Sequence, residues 1–160
     1  MKQIFESDRI CFVEVSERLV KDYLVMVNDM EHVERYLGGA HEPFTEEQEI
    51  SWVRSKLEEK AQVFSMIDKK DGRFIGNIEL MDAKDSVGEL GIAITAEKQN
   101  TGYGTEAVSA LVLYGFEHLG LKKIFLRTDP DNTRAIHVYE ACGFREYHRT
   151  EIHVFMEIVR

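Results

Sequence analysis

Residues 87–119 most constrain what this chain can become: the apolar run "VGELGIAIT" passes through polar "AEKQN" into "TGYGTEAVSALVLYGFEHL". The first run reads as a strand by its alternation and β-branched content. In the last, Val108, Leu111, Val112, Gly115, Phe116 and Leu119 recur at the spacing of one buried helical stripe, and Gly120 is placed to end it. Two glycines, Gly102 and Gly104, stand where the helix begins. Glycine beside a helix start costs conformational entropy, so a local need must offset it. A tight turn is one such need. Close approach of bare N–H groups to a phosphate, aided by the positive helix end, is the other, and glycine spacing alone leaves both open.

The remaining chain supplies a sheet for this unit. "RICFVEV" (residues 9–15) reads as a first strand and "SERLVKDYLVMVND" (16–29) as a helix with Ser16 as N-cap. Thr45 and Gln48 form a capping box opening "EEQEISWVRSKLEEK", in which Ile50, Val53 and Leu57 share a face. "AQVFSMID" and "RFIGNIELM" flank "KKDG", and Asp-Gly between strand-like runs signals a hairpin. "KKIFLRT" is a further strand, "NTRAIHVYEACG" a short helix capped by Asn132, and "EIHVFMEIV" a last strand. The order predicts an α/β (α+β) fold: a single mixed, mostly antiparallel sheet of six to seven strands flanked by helices, with residues 1–160 as one domain.

Composition narrows the function. Lys and Arg number 20 against 29 Asp and Glu, a net charge of −9 that opposes nucleic-acid backbones and favours cationic ligands. Much of the acid lies between Glu31 and Glu59, where Glu34, Glu42, Glu46, Glu47 and Glu49 read as a solvated helix face. Charges interrupt every apolar run before membrane-spanning length, and "MKQIFESDRI" lacks a signal-peptide layout. The expected location is therefore cytoplasmic, with no membrane partner. Cys11 and Cys142 give neither a disulfide framework nor metal-site spacing, so they read as small buried hydrophobes and no metal is expected.

The glycines also satisfy G-x-G-x-x-A over residues 102–107, with Asp129 further on, the pattern of a dinucleotide-binding turn. In that turn the first glycine follows the strand directly, whereas here residues 96–101 intervene, and the first half of the chain lacks successive βαβ units. No Gly-Lys-Ser/Thr follows to make a Walker loop. "ELGIAITAEKQNTGYGTEAVSALVLYGF" with "LRTDPDNTRAIHVYEACGF" instead resembles the acetyl-CoA-binding core of the GNAT N-acetyltransferases. Gln99, Gly102 and Gly104 match the family's Gln/Arg-x-x-Gly-x-Gly/Ala, and Asn132, Tyr139 and "CGF" match its second half. The match is tight over residues 87–144, and the layout is most similar to the ribosomal-protein alanine and spermidine/diamine acetyltransferase branch.

The resemblance implies acetyl-CoA as co-substrate and a primary amine as acceptor, either a small cationic amine such as a polyamine or a protein N-terminus. It implies that Ile92, Ala93 and Ile94 pair through their backbone with the pantetheine arm, and that Gln99, Asn100, Thr101, Gly102, Tyr103, Gly104 and Thr105 hold the pyrophosphate. Asn132 would touch pantetheine or a phosphate while also capping its helix, and Tyr139 would protonate the leaving thiolate. Homodimers are common in the family. Amine acetylation also needs a base. By strand alternation Glu79 and Asn77 share a face, and a symmetric hairpin at "DAKDS" would set Glu79 directly across from Glu89. Facing carboxylates repel, which raises the pKa of one of them; a wet sheet face bearing two acids is the alternative. No Cys–His or Ser–His spacing suggests a covalent intermediate, so direct attack is expected. A non-catalytic acyl-CoA or nucleotide-binding module is the rival, and Tyr139 is the feature that such a module does not need. The acceptor-binding segment, about residues 28–60, does not name its amine.

Overall fold

The computed structural model describes residues 1–33 and 42–160. Among the described residues eight strands form one sheet in the order β1-β2-β3-β4-β5-β6-β8-β7. They are β1 Gln3–Glu6, β2 Ile10–Glu14, β3 Gln62–Asp68, β4 Phe74–Lys84, β5 Val87–Ile94, β6 Lys123–Thr128, β7 Arg145–Arg149 and β8 Val154–Val159. Among the described residues the β5–β6 pair is parallel and the others antiparallel. The expected six to seven strands thus become eight, because two edge strands escape the pattern. β1 is four residues long, and β7 is exposed at every position, so neither shows a buried alternation.

Helices cover both faces. α1 (Val20–Val27) and α2 (Glu46–Glu58) pack with Val13, Val15, Val63 and Phe74 on one face. α3 (Tyr103–Glu117) and α4 (Thr133–Ala141) pack with Ile10, Phe12, Phe64, Ile78, Leu80 and Leu90 on the other. The stripe anticipated in α3 buries Val108, Leu111, Val112 and Gly115, and Gly120 takes a φ of +68° just past the helix end. Ser16 caps a 3-10 turn, Glu17–Leu19, and α1 begins only after it. The Thr45/Gln48 capping box is present in full. One expectation for α2 fails: Glu49, placed by its acidic neighbourhood on a solvated face, is buried, while Leu57, on the face shared with Ile50 and Val53, is exposed. Residues 34–41 of the anticipated acceptor segment, with Glu34, lie outside the described residues.

The register of the β4–β5 hairpin also differs from expectation. Glu79 pairs with Gly91 and Met81 with Glu89, so the two acids are diagonal rather than opposite. The turn is the two-residue Asp85-Ser86, both at positive φ, closed by Lys84↔Val87, and an irregularity at Asp82 (φ +50°) absorbs the difference. A hairpin centred on "DAKDS" as a five-residue loop would have had another register; a left-handed pair makes a tighter turn and moves it.

Candidate active site

The parallel β5–β6 ladder is short. It joins Val87, Gly88 and Glu89 to Lys123, Ile124 and Phe125 and then stops, although β5 runs on to Ile94 and β6 to Thr128. Beyond that point the sheet splits, leaving residues 90–94 without a neighbour on the β6 side. A cleft of about 1460 Å³ occupies the split. Because it passes between strands, side chains from both faces of the sheet meet there. Tyr139 enters from the α3/α4 face, while Glu79, Glu89 and Glu49 enter from the α1/α2 face. Ile92, Ala93, Ile94, Gln99, Asn100, Gly102, Gly104, Thr105 and Asn132 all line the same cleft.

At one end of the cleft the loop after β5 is tightly held. Residues 96–98 form a 3-10 turn, Asn100 (φ +62°) and Gly102 (φ +86°) are left-handed, and Gly102 stands at the N-cap of α3. The Gln99 amide donates to the Ile94 carbonyl (2.9 Å), and its oxygen accepts from Arg134. Lys98 donates to Asp68 and Asp71, each at 2.8 Å, and the Tyr103 hydroxyl also donates to Asp68. Lys98 and Tyr103 together hold the buried Asp68 carboxyl down at about 2. The guanidinium of Arg9 lies 4.2 Å from the Tyr103 ring centre and binds Glu106 in the first turn of α3. Two expected contacts are not among the residues that line the cleft: the buried Tyr103 donates its hydroxyl to Asp68, and the exposed Thr101 donates its own to the Lys98 carbonyl.

The two opening glycines have separate reasons. Gly102 is required by its backbone angle. A methyl at Gly104 would meet nothing closer than Ile94 Cδ1 at 3.5 Å, an ordinary contact, so folding alone does not demand glycine there. Asn132 is buried, and its side-chain oxygen accepts from Ala135 N at 3.2 Å, which leaves its NH₂ uncommitted among the described residues.

Tyr139 is 8% exposed, and burial, with Cys142 adding to it, pushes its hydroxyl up to about 12. That hydroxyl stays protonated at neutral pH and has no hydrogen-bond partner among the described residues. Glu79 lies over Gly91, where a Cβ would sit 3.7 Å from its Oε1. Burial raises the Glu79 carboxyl above its ordinary range; Lys56 works against the shift and Glu89 with it. Glu89 itself is ion-paired to Arg127 at 3.2 Å. Several lining residues were not anticipated: Glu49, Trp52, Arg127, Arg134 and His153, whose Nδ1 is buried without a partner among the described residues. Arg134 alone carried a local signal, since it stands two places after the Asn132 cap and so projects beside the loop.

Among the described residues no group of His, Cys, Asp and Glu could hold a metal ion, and no helix is long and apolar enough to cross a membrane. The model of the acetyltransferase (GNAT) domain matches residues 9–145. The chain is 29% identical over 108 residues to a spermidine N(1)-acetyltransferase of Vibrio cholerae, covering 66% of this chain and 62% of that protein. It is 37% identical over 76 residues to the spermidine N(1)-acetyltransferase of Escherichia coli K12, covering 46% of this chain and 41% of that protein. The chain thus spans less than two thirds of these relatives. A GNAT-family acetyltransferase structure from Bacillus anthracis superposes with a TM-score of 0.84 at 22% identity, covering 96% of both chains. Spermidine N-acetyltransferase from Vibrio cholerae, in complex with CoA and spermine, gives 0.83 at 22% identity over 96% of both chains.

Proposed function

The chain belongs to the acetyltransferase (GNAT) family, and from that premise we propose that it transfers an acetyl group from acetyl-CoA to a primary amine by direct attack. The observation that carries the proposal is the split after Glu89 and Phe125, which sets a bare strand edge, a glycine loop, a buried tyrosine and a raised carboxyl along one cleft. In this reading the edge of residues 92–94 pairs with the pantetheine amides, as a sheet edge takes a peptide. Residues 99–105 face the pyrophosphate with backbone N–H groups at the positive end of α3. The space left at Gly104 and the uncommitted NH₂ of Asn132 suit the same ligand.

Glu79 takes the proton from the attacking amine, directly or through water, for which a carboxyl raised by burial is suited. As the amine nitrogen bonds to the carbonyl carbon, the carbon–sulfur bond breaks and the thiolate leaves. Tyr139, protonated and unpartnered, donates to that sulfur. Glu89 is the weaker candidate for base because Arg127 already engages it. The acceptor is a cationic amine, consistent with the net charge of −9 and with relatives named as spermidine acetyltransferases.

A melting experiment and a thiol assay test this. Acetyl-CoA well above its Kd is expected to raise Tm, with NAD and ATP doing so far less. Thiol release is expected with at least one amine from a panel of polyamines, aminoglycosides and N-terminal peptides. Equal stabilisation by NAD overturns the cofactor assignment. Binding without thiol release from any amine leaves a non-catalytic acyl-CoA module.

A further inference from the structure

A one-way chain of hydrogen bonds runs from α1 to the cleft. The backbone N–H of Ser16 donates to the Tyr23 hydroxyl at 3.2 Å, Tyr23 donates to Ser65 Oγ, and Ser65 donates to Asn77 Oδ1 at 2.8 Å. Tyr23 and Ser65 are fully buried. The direction of the chain follows from counting protons. Ser16 can only donate, so the Tyr23 proton goes to Ser65 and the Ser65 proton to Asn77. An inverted amide would leave one of these buried hydroxyl protons without an acceptor, which is costly. Asn77 therefore keeps its oxygen inward and presents its NH₂ to the cleft that it lines. That NH₂ has no partner among the described residues. Glu79, two places along the same face of β4, does not accept from it.

The neighbouring strand leaves this donor open. Asn77 stands opposite Ala93 and Glu79 opposite Gly91, so no large side chain of β5 covers either. Gly91 is not left-handed, and a methyl there would press on Met81 Cε at 3.2 Å and Glu79 Cγ at 3.6 Å. An alkylammonium offers only N–H donors, so nitrogen alone cannot satisfy a donor held in this way. We propose that Asn77 donates to a neutral oxygen of the acceptor, so that the amine taken by this site also carries a hydroxyl, ether or carbonyl oxygen. This rests on the amine-acetyltransferase reading and deepens it: Glu79 serves the nitrogen that reacts, and Asn77 an oxygen that does not. The two positions lie about 7 Å apart along the strand. A chain of about five bonds between nitrogen and oxygen, extended, spans roughly 6 Å. Asn77 is thereby a specificity residue for the acceptor.

The test measures binding without turnover. The protein saturated with CoA is titrated calorimetrically with 4-methoxybutan-1-amine and with hexan-1-amine, which carries CH₂ in place of the ether oxygen. The ether is expected to bind about tenfold more tightly, a difference of roughly 1.4 kcal/mol. In Asn77→Ala it is expected to fall to within about twofold of hexan-1-amine, whose own Kd is unchanged and so reports an intact fold. Asn77→Asp, measured at pH 8, keeps an acceptor for Ser65 but offers the cleft a carboxylate, and is expected to lose the preference as well. With acetyl-CoA, Asn77→Ala is expected to raise KM for the ether about tenfold at constant kcat. Equal affinities in the parent protein overturn the proposal, as does a preference for the ether that survives either substitution. A preference that depends on Asn77, with no thiol release from any amine of the panel, would keep this inference and refute acetyl transfer, so the two readings fail separately.

Discussion

The two ends of the cleft are built on opposite principles. At the loop end the charged groups are matched: Lys98 by Asp68 and Asp71, Arg9 by Glu106, and Arg134 by neutral amide oxygens. At the other end Glu49 and Glu79 have no ion pair among the described residues, and burial raises both carboxyls. The first end has its cations engaged before any ligand arrives. The second buries carboxyls without a cation, at the expense of the empty fold. Under the proposed function, a site for an invariant co-substrate and one for a selected amine would make different demands on the same sheet.

The comparison breaks most visibly if the matched end is unmatched. Lys98→Met leaves Asp68, whose side chain is 3% exposed, buried without its cation. The expected cost is about 3–5 kcal/mol, or roughly 10 °C in Tm for a chain of this size, with weaker acetyl-CoA binding. The pH dependence of the parent reports the same group. Asp68 is depressed to about 2, so its contribution is present above the unfolded value near 3.9 and disappears as pH falls towards 2. Acid melts are expected to lose about 2 kcal/mol across that window. Survival of Lys98→Met without a Tm change would show that the loop does not depend on this pairing.

Tyr139→Phe tests the meeting of the two faces. Turnover is expected to drop roughly 10- to 1000-fold, with acetyl-CoA affinity nearly unchanged. An unchanged rate assigns Tyr139 to packing. A smaller effect follows from Glu79→Gln. The acid limb of the parent rate profile is expected to rise through an apparent pKa above the ordinary Glu value of about 4.3, and the variant to be slower and flatter on that limb. A profile identical in parent and variant removes Glu79 from proton transfer. The smallest effect sharpens the contrast. A carboxyl raised by burial gives stability that is lost as pH rises above its unfolded value, so at pH 7 the empty protein carries a penalty at Glu49. Glu49→Gln is expected to stabilise it by about 1 kcal/mol, read as a rise in Tm without ligand.

What was legible in the chain follows the same division. Gly102, the Asn132 cap and the stripe of α3 are local signals, fixed by backbone angles and by a 3.6-residue period, and they lie where they were expected. The β4–β5 register was not legible, because it turns on left-handed Asp82, Asp85 and Ser86, residue types that accept positive φ without requiring it. Nor was Glu49: nothing within "TEEQEIS" separates it from Glu46 or Glu47 until α1 and β3 are packed beside it. β7 was hidden for a related reason, since a strand exposed along its length has no alternation to read.

The three-rung β5–β6 ladder has a consequence for cohesion. Five strands lie on one side of it and three on the other, joined in the sheet by that short seam. A ligand strand that fills the split would act as a ninth strand bonded along β5. The amides of Leu90, Ile92 and Ile94, which alternate with those bonded to β4 and so face the split, should then be among the fastest-exchanging of the sheet interior in the empty protein, and should slow on binding. Cofactor affinity and the mechanical integrity of the sheet would draw on the same hydrogen bonds, so substitutions along the seam, far from any reacting atom, should weaken both together.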